Sequence, residues 1–266
     1  MSNDSTKKTL LVALGVCFVA SILVSTAAVE LKPIQELNKE LDLRKNILSA
    51  GDLYHDGIDI NSIFKEKISA QIIDLATGEF IPESDYDDVL NIEKFDVEEI
   101  ASSDKWGKDI PTSEDIAGIK IMPKAMAIYT VKDDSNNVEK YILPIYGKGL
   151  WSTLYGFIAL AKDMTTVKGF TFYQHGETPG LGGEVDNPKW KNSWVGKQIF
   201  DQASNLKIEV IKGAVDRGSE SAKYQIDGLS GATITTRGVN NLVRFWLSGN
   251  GYGPFLSKLK GESNDK

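Results

Sequence analysis

An uncharged run over residues 9–29 constrains this chain more than any other stretch of its sequence. Folded as an α-helix, its 21 residues would extend roughly 31 Å, enough to cross a hydrocarbon core of about 30 Å. Lys7 and Lys8 precede the run, and Glu30 follows it. Because basic flanks stay on the cytoplasmic side, we predict a cytoplasmic N-terminus over 1–8, a membrane span over 9–29 and an exported remainder.

A cleaved signal peptide is the alternative for the same run. Small residues lie near its end, at Ser25, Thr26, Ala27 and Ala28. The run is longer than the apolar core of a usual signal peptide, which favours a retained anchor. The sequence has no second long apolar run, so a single crossing is predicted.

Residues 30–51 are predicted to form a neck helix with one apolar face. Apolar residues recur there at helical spacing, at Ile34, Leu37, Leu41 and Leu48. Pro33 fits near the start of such a helix, and Gly51 is suited to end it. Two interpretations stay open: an amphipathic helix lying on the domain, or a spacer that holds the domain at the membrane or docks on another subunit.

The remainder, residues 52–266, is predicted to be one α+β domain with an antiparallel sheet and flanking helices. Strand-like segments alternate with polar turns, at 71–75, 125–131, 138–145, 155–161, 167–173 and 207–211. A helix is predicted from about Arg237, with apolar residues at Val239, Leu242, Val243 and Trp246. Residues 83–115 are strongly acidic with scattered aromatics, and we expect a solvated excursion there.

Charge and composition exclude several kinds of site. The net charge of −7 implies no basic surface, so no nucleic-acid partner is expected. Cys17 is the only cysteine, which excludes an intrachain disulfide and a four-cysteine iron–sulfur site. The two histidines, His55 and His175, are far apart in sequence, so no histidine-rich metal centre is expected. Any redox chemistry would then come from an organic cofactor.

The segment 227–236, Asp-Gly-Leu-Ser-Gly-Ala-Thr-Ile-Thr-Thr, places small residues and hydroxyls directly ahead of the last predicted helix. We expect Thr235 or Thr236 to cap that helix. A tight loop at a helix N-terminus favours an anion, because free N–H groups and the helix dipole point there. A simple glycine-containing turn is the alternative. A serine-hydrolase elbow is disfavoured, since Ala232 stands where G-x-S-x-G requires its second glycine.

A second glycine-rich segment lies at 175–184, His-Gly-Glu-Thr-Pro-Gly-Leu-Gly-Gly-Glu. Its backbone could face a flat or polar ligand, with Leu181 covering an aromatic ring and Glu177 and Thr178 bonding the edge of a heterocycle. Gly-Lys-Gly-Leu-Trp at 147–151 lies between two predicted strands. The alternatives are a mobile connection with a solvated glutamate, and a tryptophan buried in the core.

In this order, the Gly-Leu-Trp, Glu-Thr-Pro-Gly-Leu-Gly and Ser-Gly-Ala-Thr segments resemble the FMN-binding domain family. The resemblance implies an FMN whose phosphate a separate flavin transferase esterifies to Thr233, near the helix N-terminus and Arg237. It implies cofactor contacts from both loops, at Glu177, Thr178, Leu181, Gly182, Ser230, Gly231 and Ala232. Trp151 is expected to pack beside the ring. The resemblance implies no catalytic residue and no metal ligand.

The anchor, the neck and the tail Gly-Tyr-Gly-Pro-Phe-Leu at 251–256 narrow the resemblance to the family of C subunits of sodium-translocating NADH:quinone oxidoreductases. This resemblance implies a single-pass protein of the bacterial inner membrane, with a periplasmic flavin domain that relays electrons within a complex and is not catalytic alone. Its partners would be the other subunits and membrane lipid. Two alternatives stay open: the equivalent subunit of a ferredoxin:NAD oxidoreductase, and a flavin-free membrane-tethered interaction domain.

Overall fold

The computed structural model describes residues 5–93 and 95–264, with side chains up to residue 261. Its longest element is helix α1, Thr6–Ala50. Among the described residues it is the one helix long and apolar enough to cross a membrane. The span predicted at 9–29 lies wholly inside it.

Helix α1 continues through Pro33, so the separate neck helix predicted over 30–51 does not exist as its own element. A proline removes one backbone bond, the one to the carbonyl of Val29. A long helix tolerates the loss of this one bond because the helix continues past the proline without a new nucleation step. The predicted end is confirmed, since the helix stops at Ala50, and the Gly51 N–H bonds the Ile47 carbonyl at 3.0 Å.

The chain divides into two units, one ending at Leu43 and the other beginning at Arg44. The last turns of α1 belong to the second unit, where Ile47, Leu48 and Ala50 are buried. The boundary therefore lies before the one expected between residues 51 and 52.

The second unit is built on an antiparallel sheet. Its strands are β1 (Ile68–Asp74), β2 (Gly107–Asp109), β3 (Ile121–Pro123), β4 (Ala125–Lys132), β5 (Val138–Lys148), β6 (Thr153–Ala161), β7 (Val167–Gln174), β8 (Glu209–Val210) and β9 (Gln225–Ile226). The main sheet has the order β1-β4-β5-β6-β7, each strand antiparallel to the next. The predicted α+β class is confirmed. The strand predicted at 207–211 shrinks to β8, because in the part of the chain that the structure describes it pairs with the short parallel strand β9 alone.

Helix α5 holds the C-terminal part of the chain to this sheet. The helices of the second unit are α2 (Ile60–Lys67), α3 (Val97–Ser102), α4 (Pro188–Asn192), α5 (Thr233–Leu247) and α6 (Gly253–Asn264), with 3₁₀ turns at Glu83–Asp85, Gly182–Asp186 and Glu220–Tyr224. The predicted apolar face of α5 is buried, and the Trp246 indole N–H donates to the Tyr146 carbonyl of β5 at 2.7 Å. Replacing such a buried tryptophan with alanine typically costs about 3–5 kcal/mol.

The described part of the acidic segment 83–115 is folded, and the prediction of a solvated excursion is wrong. Leu90 and Ile100 are fully buried and cluster with Ile72 of β1 and Ala125 of β4. The charge pattern gave the wrong prediction because a few apolar residues between carboxylates are enough for a small core, while the carboxylates themselves face water.

Asp87 organises this small core. Its carboxylate pairs with Lys105 at 2.6 Å and accepts the Leu90 N–H at 2.7 Å and the Trp106 indole N–H at 2.9 Å. The Lys105 ammonium, followed by these two donors, holds the pKa of Asp87 well below its usual range. One acidic residue of the segment therefore provides the hydrogen-bond acceptor for its half-buried indole.

Candidate functional site

Three segments of the second unit meet around the carboxylate of Glu177. They are the hairpin turn (149–152) between β5 and β6, the glycine loop (175–183) after β7, and the entry loop (227–232) that leads into α5. Antiparallel pairing of β6 with both β5 and β7 brings the hairpin turn and the glycine loop to the same end of the sheet. Helix α5, packed on β5, brings the entry loop to them.

The Glu177 carboxylate accepts hydrogen bonds from backbone and side-chain donors of the protein, and the residue is only 5% exposed. Oε1 accepts the backbone N–H groups of Trp151 at 2.9 Å, Leu150 at 3.1 Å and Ser152 at 3.3 Å. Oε2 accepts the hydroxyl of Thr235 at 2.6 Å. A solvated Glu177 is therefore excluded. The side chain holds protein segments together, where we expected it to bond the edge of a heterocycle.

The charge on Glu177 is stabilised by these bonds. Burial raises the pKa of Glu177, but the Thr235 hydroxyl and the N–H groups of Trp151, Ser152 and Leu150 outweigh it, so the pKa lies below the ordinary glutamate value. The carboxylate is ionised at neutral pH. Because the folded-state pKa is lowered, the charge stabilises the fold above the ordinary glutamate pKa, and this contribution is lost as pH falls through the lowered value.

Two glycines leave the space that the carboxylate fills. A Cβ at Gly149 would lie 2.6 Å from Oε1 of Glu177. A Cβ at Gly182 would lie 2.7 Å from Oε2 and 2.6 Å from the hydroxyl oxygen of Thr235. Non-bonded heavy atoms are normally well over 3 Å apart, so a side chain at either position would displace Glu177. Gly182, a predicted cofactor contact, is thus buried against the segments that Glu177 joins.

Helix α5 begins at Thr233, one turn earlier than predicted, and neither Thr235 nor Thr236 caps it. The Thr236 N–H bonds the Ala232 carbonyl at 2.9 Å, which places all three threonines in the first turn. Thr236 accepts the Leu229 N–H at 3.0 Å, whereas Thr235 donates to the carboxylate described above. The cap prediction is wrong because both hydroxyls bond other segments instead of the free N–H groups of their own helix.

Thr233 differs from its two neighbours because it is exposed. Thr235 and Thr236 are 1% and 5% exposed. The Thr233 hydroxyl makes no hydrogen bond to any residue that the structure describes. The helix start has no side-chain cap and no acidic residue in its first turn, so its N–H groups favour an anion. Arg237 is exposed one turn further on, along the same helix face as Thr233.

The hairpin turn, the glycine loop and the start of α5 expose apolar side chains. They are Leu150 and Trp151 of the hairpin turn, Leu181 of the glycine loop, and Ile234 beside the exposed threonine. Trp151 is 71% exposed, so the interpretation that it belongs to the core is wrong. Its backbone N–H is held by the buried carboxylate while its ring extends into solvent.

The glycine loop and the entry loop touch at Leu181. A Cβ at Gly231 would lie 3.0 Å from Cδ2 of Leu181, and the φ of 73° at Gly231 also favours glycine. The Thr178 carbonyl accepts the N–H groups of Leu181 at 3.1 Å and Gly183 at 2.9 Å, which closes the glycine loop on itself. Thr178 and Ser230 are exposed, and Ala232 is buried at the start of α5.

Two sets of hydrogen bonds that support the site were not predicted from the sequence. The Glu177 N–H bonds Nδ1 of His175 at 3.2 Å, and Nε2 of His175 lies 2.7 Å from the Asp186 carboxylate. In the entry loop, Asp227 accepts the Val215 N–H at 2.7 Å. The His175–Glu177 bond is local, but the bonds from His175 to Asp186 and from Val215 to Asp227 join residues 11 and 12 positions apart, which no spacing rule pairs.

This arrangement suits a ligand that carries both a phosphate and a flat ring. The uncapped start of α5 and Arg237 can bind the phosphate. The exposed side chains of Trp151 and Leu181 can cover the apolar face of a ring. The residues present therefore fit FMN.

One family of known proteins matches the same region. The FMN-binding domain family matches residues 149–248, an interval that contains all three segments. Over the whole chain, the C subunit of the Na(+)-translocating NADH-quinone reductase of Pseudomonas aeruginosa is 47% identical across 266 residues, covering 98% of this chain and 99% of that protein. The protein of the same name from Vibrio alginolyticus is 40% identical across 264 residues, covering 99% of each.

Two solved structures share the fold. The crystal structure of NqrC from Shewanella oneidensis aligns with a TM-score of 0.76 and 34% identity, covering 85% of this chain and 99% of that one. The crystal structure of the C subunit of the Na(+)-translocating NADH-quinone reductase from Parabacteroides distasonis aligns with a TM-score of 0.65 and 28% identity, covering 85% and 97%.

Proposed function

This chain belongs to the family of C subunits of Na(+)-translocating NADH-quinone reductases, and we propose that it is the flavoprotein subunit that relays electrons within such a complex. Its partners are then the other subunits of a multisubunit oxidoreductase, and it is not catalytic alone. Relatives of this name match the full length of the chain. That match argues against the alternative of a ferredoxin:NAD oxidoreductase subunit.

FMN is the cofactor of the matched domain family. The N-terminus of α5 and Arg237 would hold its phosphate, while Trp151 and Leu181 would flank its ring. Thr178, Gly182, Ser230, Gly231 and Ala232 would border the site. When bound, the flavin supplies the redox chemistry, and the chain supplies position and electrostatics.

The finer part of the proposal is a phosphoester between FMN and Thr233, formed by a separate flavin transferase. The contrast among the three threonines of the first turn supports it. Thr235 and Thr236 are buried and hydrogen bonded, whereas Thr233 is exposed at the helix N-terminus. A phosphoester there would bring its negative charge to the positive end of the helix dipole.

Acid precipitation tests whether the flavin is covalently bound. After the chain is purified from cells that contain the flavin transferase and precipitated in acid, we expect the yellow flavin absorption to stay with the pellet. A phosphoester survives unfolding, whereas a flavin held only by packing and hydrogen bonds is released when the fold is lost. The measurement is the visible spectrum of the redissolved pellet and of the supernatant.

The supernatant and a flavin-free sample distinguish the remaining alternatives. Flavin found entirely in the supernatant would contradict the covalent link and leave non-covalent FMN binding intact. A chain without flavin in either fraction, although the transferase is present and active on another substrate, would favour the flavin-free interaction domain. The same protein expressed without the transferase is the matched control for non-specific colour.

We also propose that the domain after α1 lies on the periplasmic side, with the lipid bilayer around the apolar part of α1. Lys7 and Lys8 lie directly before the uncharged run, which favours an N-terminus in the cytoplasm. A protease added to intact spheroplasts should therefore digest the domain. The measurement is an immunoblot against the C-terminus, with a cytoplasmic marker protein that must stay intact.

The opposite orientation would give the opposite pattern. The domain would then survive protease in intact spheroplasts and be cut only after lysis. A version with Lys7 and Lys8 changed to glutamate provides a matched control, because weakening the positive flank should reduce the fraction of chains in the periplasmic orientation.

A further inference from the structure

Glu177 receives bonds from two segments other than its own. Three successive backbone N–H groups of the hairpin turn converge on one oxygen, and the Thr235 hydroxyl of α5 bonds the other. Converging backbone N–H groups form an anion site. Here the anion is a side chain of the same protein, and it joins the turn to the helix.

The backbone of Glu177 is fixed as well. Its N–H donates to Nδ1 of His175, so the proton of that imidazole sits on Nε2, which donates to Asp186. The neighbouring Gly176 N–H bonds the Ser152 hydroxyl at 2.7 Å. The glycine loop is thus tied to the hairpin turn at two consecutive residues.

The residues that Glu177 holds are next to the exposed groups of the site. It bonds the N–H groups of Leu150 and Trp151, whose side chains face solvent. It packs against Gly182, which follows Leu181, and it bonds Thr235, two residues after Thr233. A movement of this carboxylate would therefore shift the hairpin turn, Leu181 and the start of α5, which carry the side chains proposed to flank the flavin.

On the function proposed above, the geometry points to Glu177 as the positioning residue of the flavin site. It fastens the hairpin turn, the glycine loop and the first turn of α5 together, and it places a fixed negative charge inside the site. The lowered pKa of Glu177 is consistent with that role, because the carboxylate stays charged at neutral pH.

Hydrogen exchange on the full chain in detergent, before any flavin is attached, tests whether Glu177 holds the three segments together. In Glu177→Ala, the amides of Leu150, Trp151 and Ser152 should exchange at least about tenfold faster, because each loses its charged acceptor. Thr235→Val removes the other bond and should loosen the first turn of α5 while these amides stay protected. Glu184→Ala is the matched control, because it removes a nearby carboxylate whose one hydrogen-bond partner among the described residues is the Asn187 side chain, at 2.8 Å.

The flavin-loaded chain provides a readout that mere destabilisation would not move. In Glu177→Ala the attached flavin should rotate more freely, so its fluorescence anisotropy should fall. Glu177→Gln keeps one acceptor oxygen and should restore the anisotropy in part. Glu177→Gln also removes a negative charge. Because a negative charge in the site opposes reduction of the flavin, the midpoint potential of the flavin should be higher in Glu177→Gln than in Glu184→Ala.

Unchanged exchange of the three amides in Glu177→Ala, or an equally immobile flavin, would overturn the proposal. If Glu177→Ala does not fold, Glu177→Gln decides, since faster exchange of the turn amides supports the role and no change refutes it. Failure of the proposed function is distinguishable, because then no chain, wild type included, would carry FMN, while the exchange data on the apo chain still report the role of Glu177.

Discussion

Replacing Thr233 with alanine should abolish covalent FMN on this chain and leave the domain folded. Its side chain is exposed and bonds no described residue, so the substitution removes the acceptor oxygen without removing a contact. Alanine is also a good helix former in the first turn of α5. Peptide mass spectrometry and in-gel flavin fluorescence measure the adduct, and circular dichroism measures the fold.

The neighbouring threonine is the matched control. Thr235→Ala should keep the FMN adduct, although it removes the hydroxyl that bonds Glu177. The loss of a hydrogen bond to a charged group should lower the free energy of unfolding by about 1.5–3 kcal/mol. Thr233→Ser should keep the adduct because it retains a hydroxyl. An adduct that persists in Thr233→Ala and disappears in Thr235→Ala would reverse the assignment.

Removing residues 1–43 should move the protein completely from the membrane fraction to the soluble fraction. The uncharged run lies in this part of the chain, and central Leu, Ile, Val and Phe residues each favour insertion by about 0.3–0.6 kcal/mol. The unit that begins at Arg44 contains the sheet, its core and all three segments of the site. Ultracentrifugation of cell extracts measures the partition.

The truncated unit should also melt within a few degrees of the same unit released by proteolysis from the full chain. If the truncated protein aggregates or fails to accept flavin in the presence of the transferase, the N-terminal unit contributes to folding as well as to anchoring. A truncation of residues 1–8 alone is the control, since it leaves the apolar run intact and should remain in the membrane fraction.

The fold was predictable where a local pattern decides it. Alternating apolar residues and polar turns located β4, β5, β6 and β7, and the helical period located the buried face of α5. The pattern failed at Pro33, because one lost bond does not stop an established helix. It failed again at Leu90 and Ile100, because a small core inside a charged segment depends on which strands it meets.

The site was predictable as a set of segments, but the roles of its residues were not. Glycine-rich motifs located the glycine loop and the entry loop, which the fold brings together. The roles of Glu177, Thr235 and Trp151 depended on contacts between segments distant in sequence. A glutamate in a glycine-rich loop is normally solvated, and the Thr235 hydroxyl and three convergent N–H groups of a hairpin turn make its burial favourable here.

The bonds of Glu177 also determine when the site can exist during folding. Its partners lie 25 to 27 residues away at the hairpin turn and 58 residues away at Thr235. The first closure accompanies the pairing of neighbouring strands, whereas the second must close a longer loop and dock α5, which is slower. Until both are made, the carboxylate keeps its water, because burial without partners is unfavourable. We therefore expect the site to form only after β5 and β6 have paired and α5 has docked.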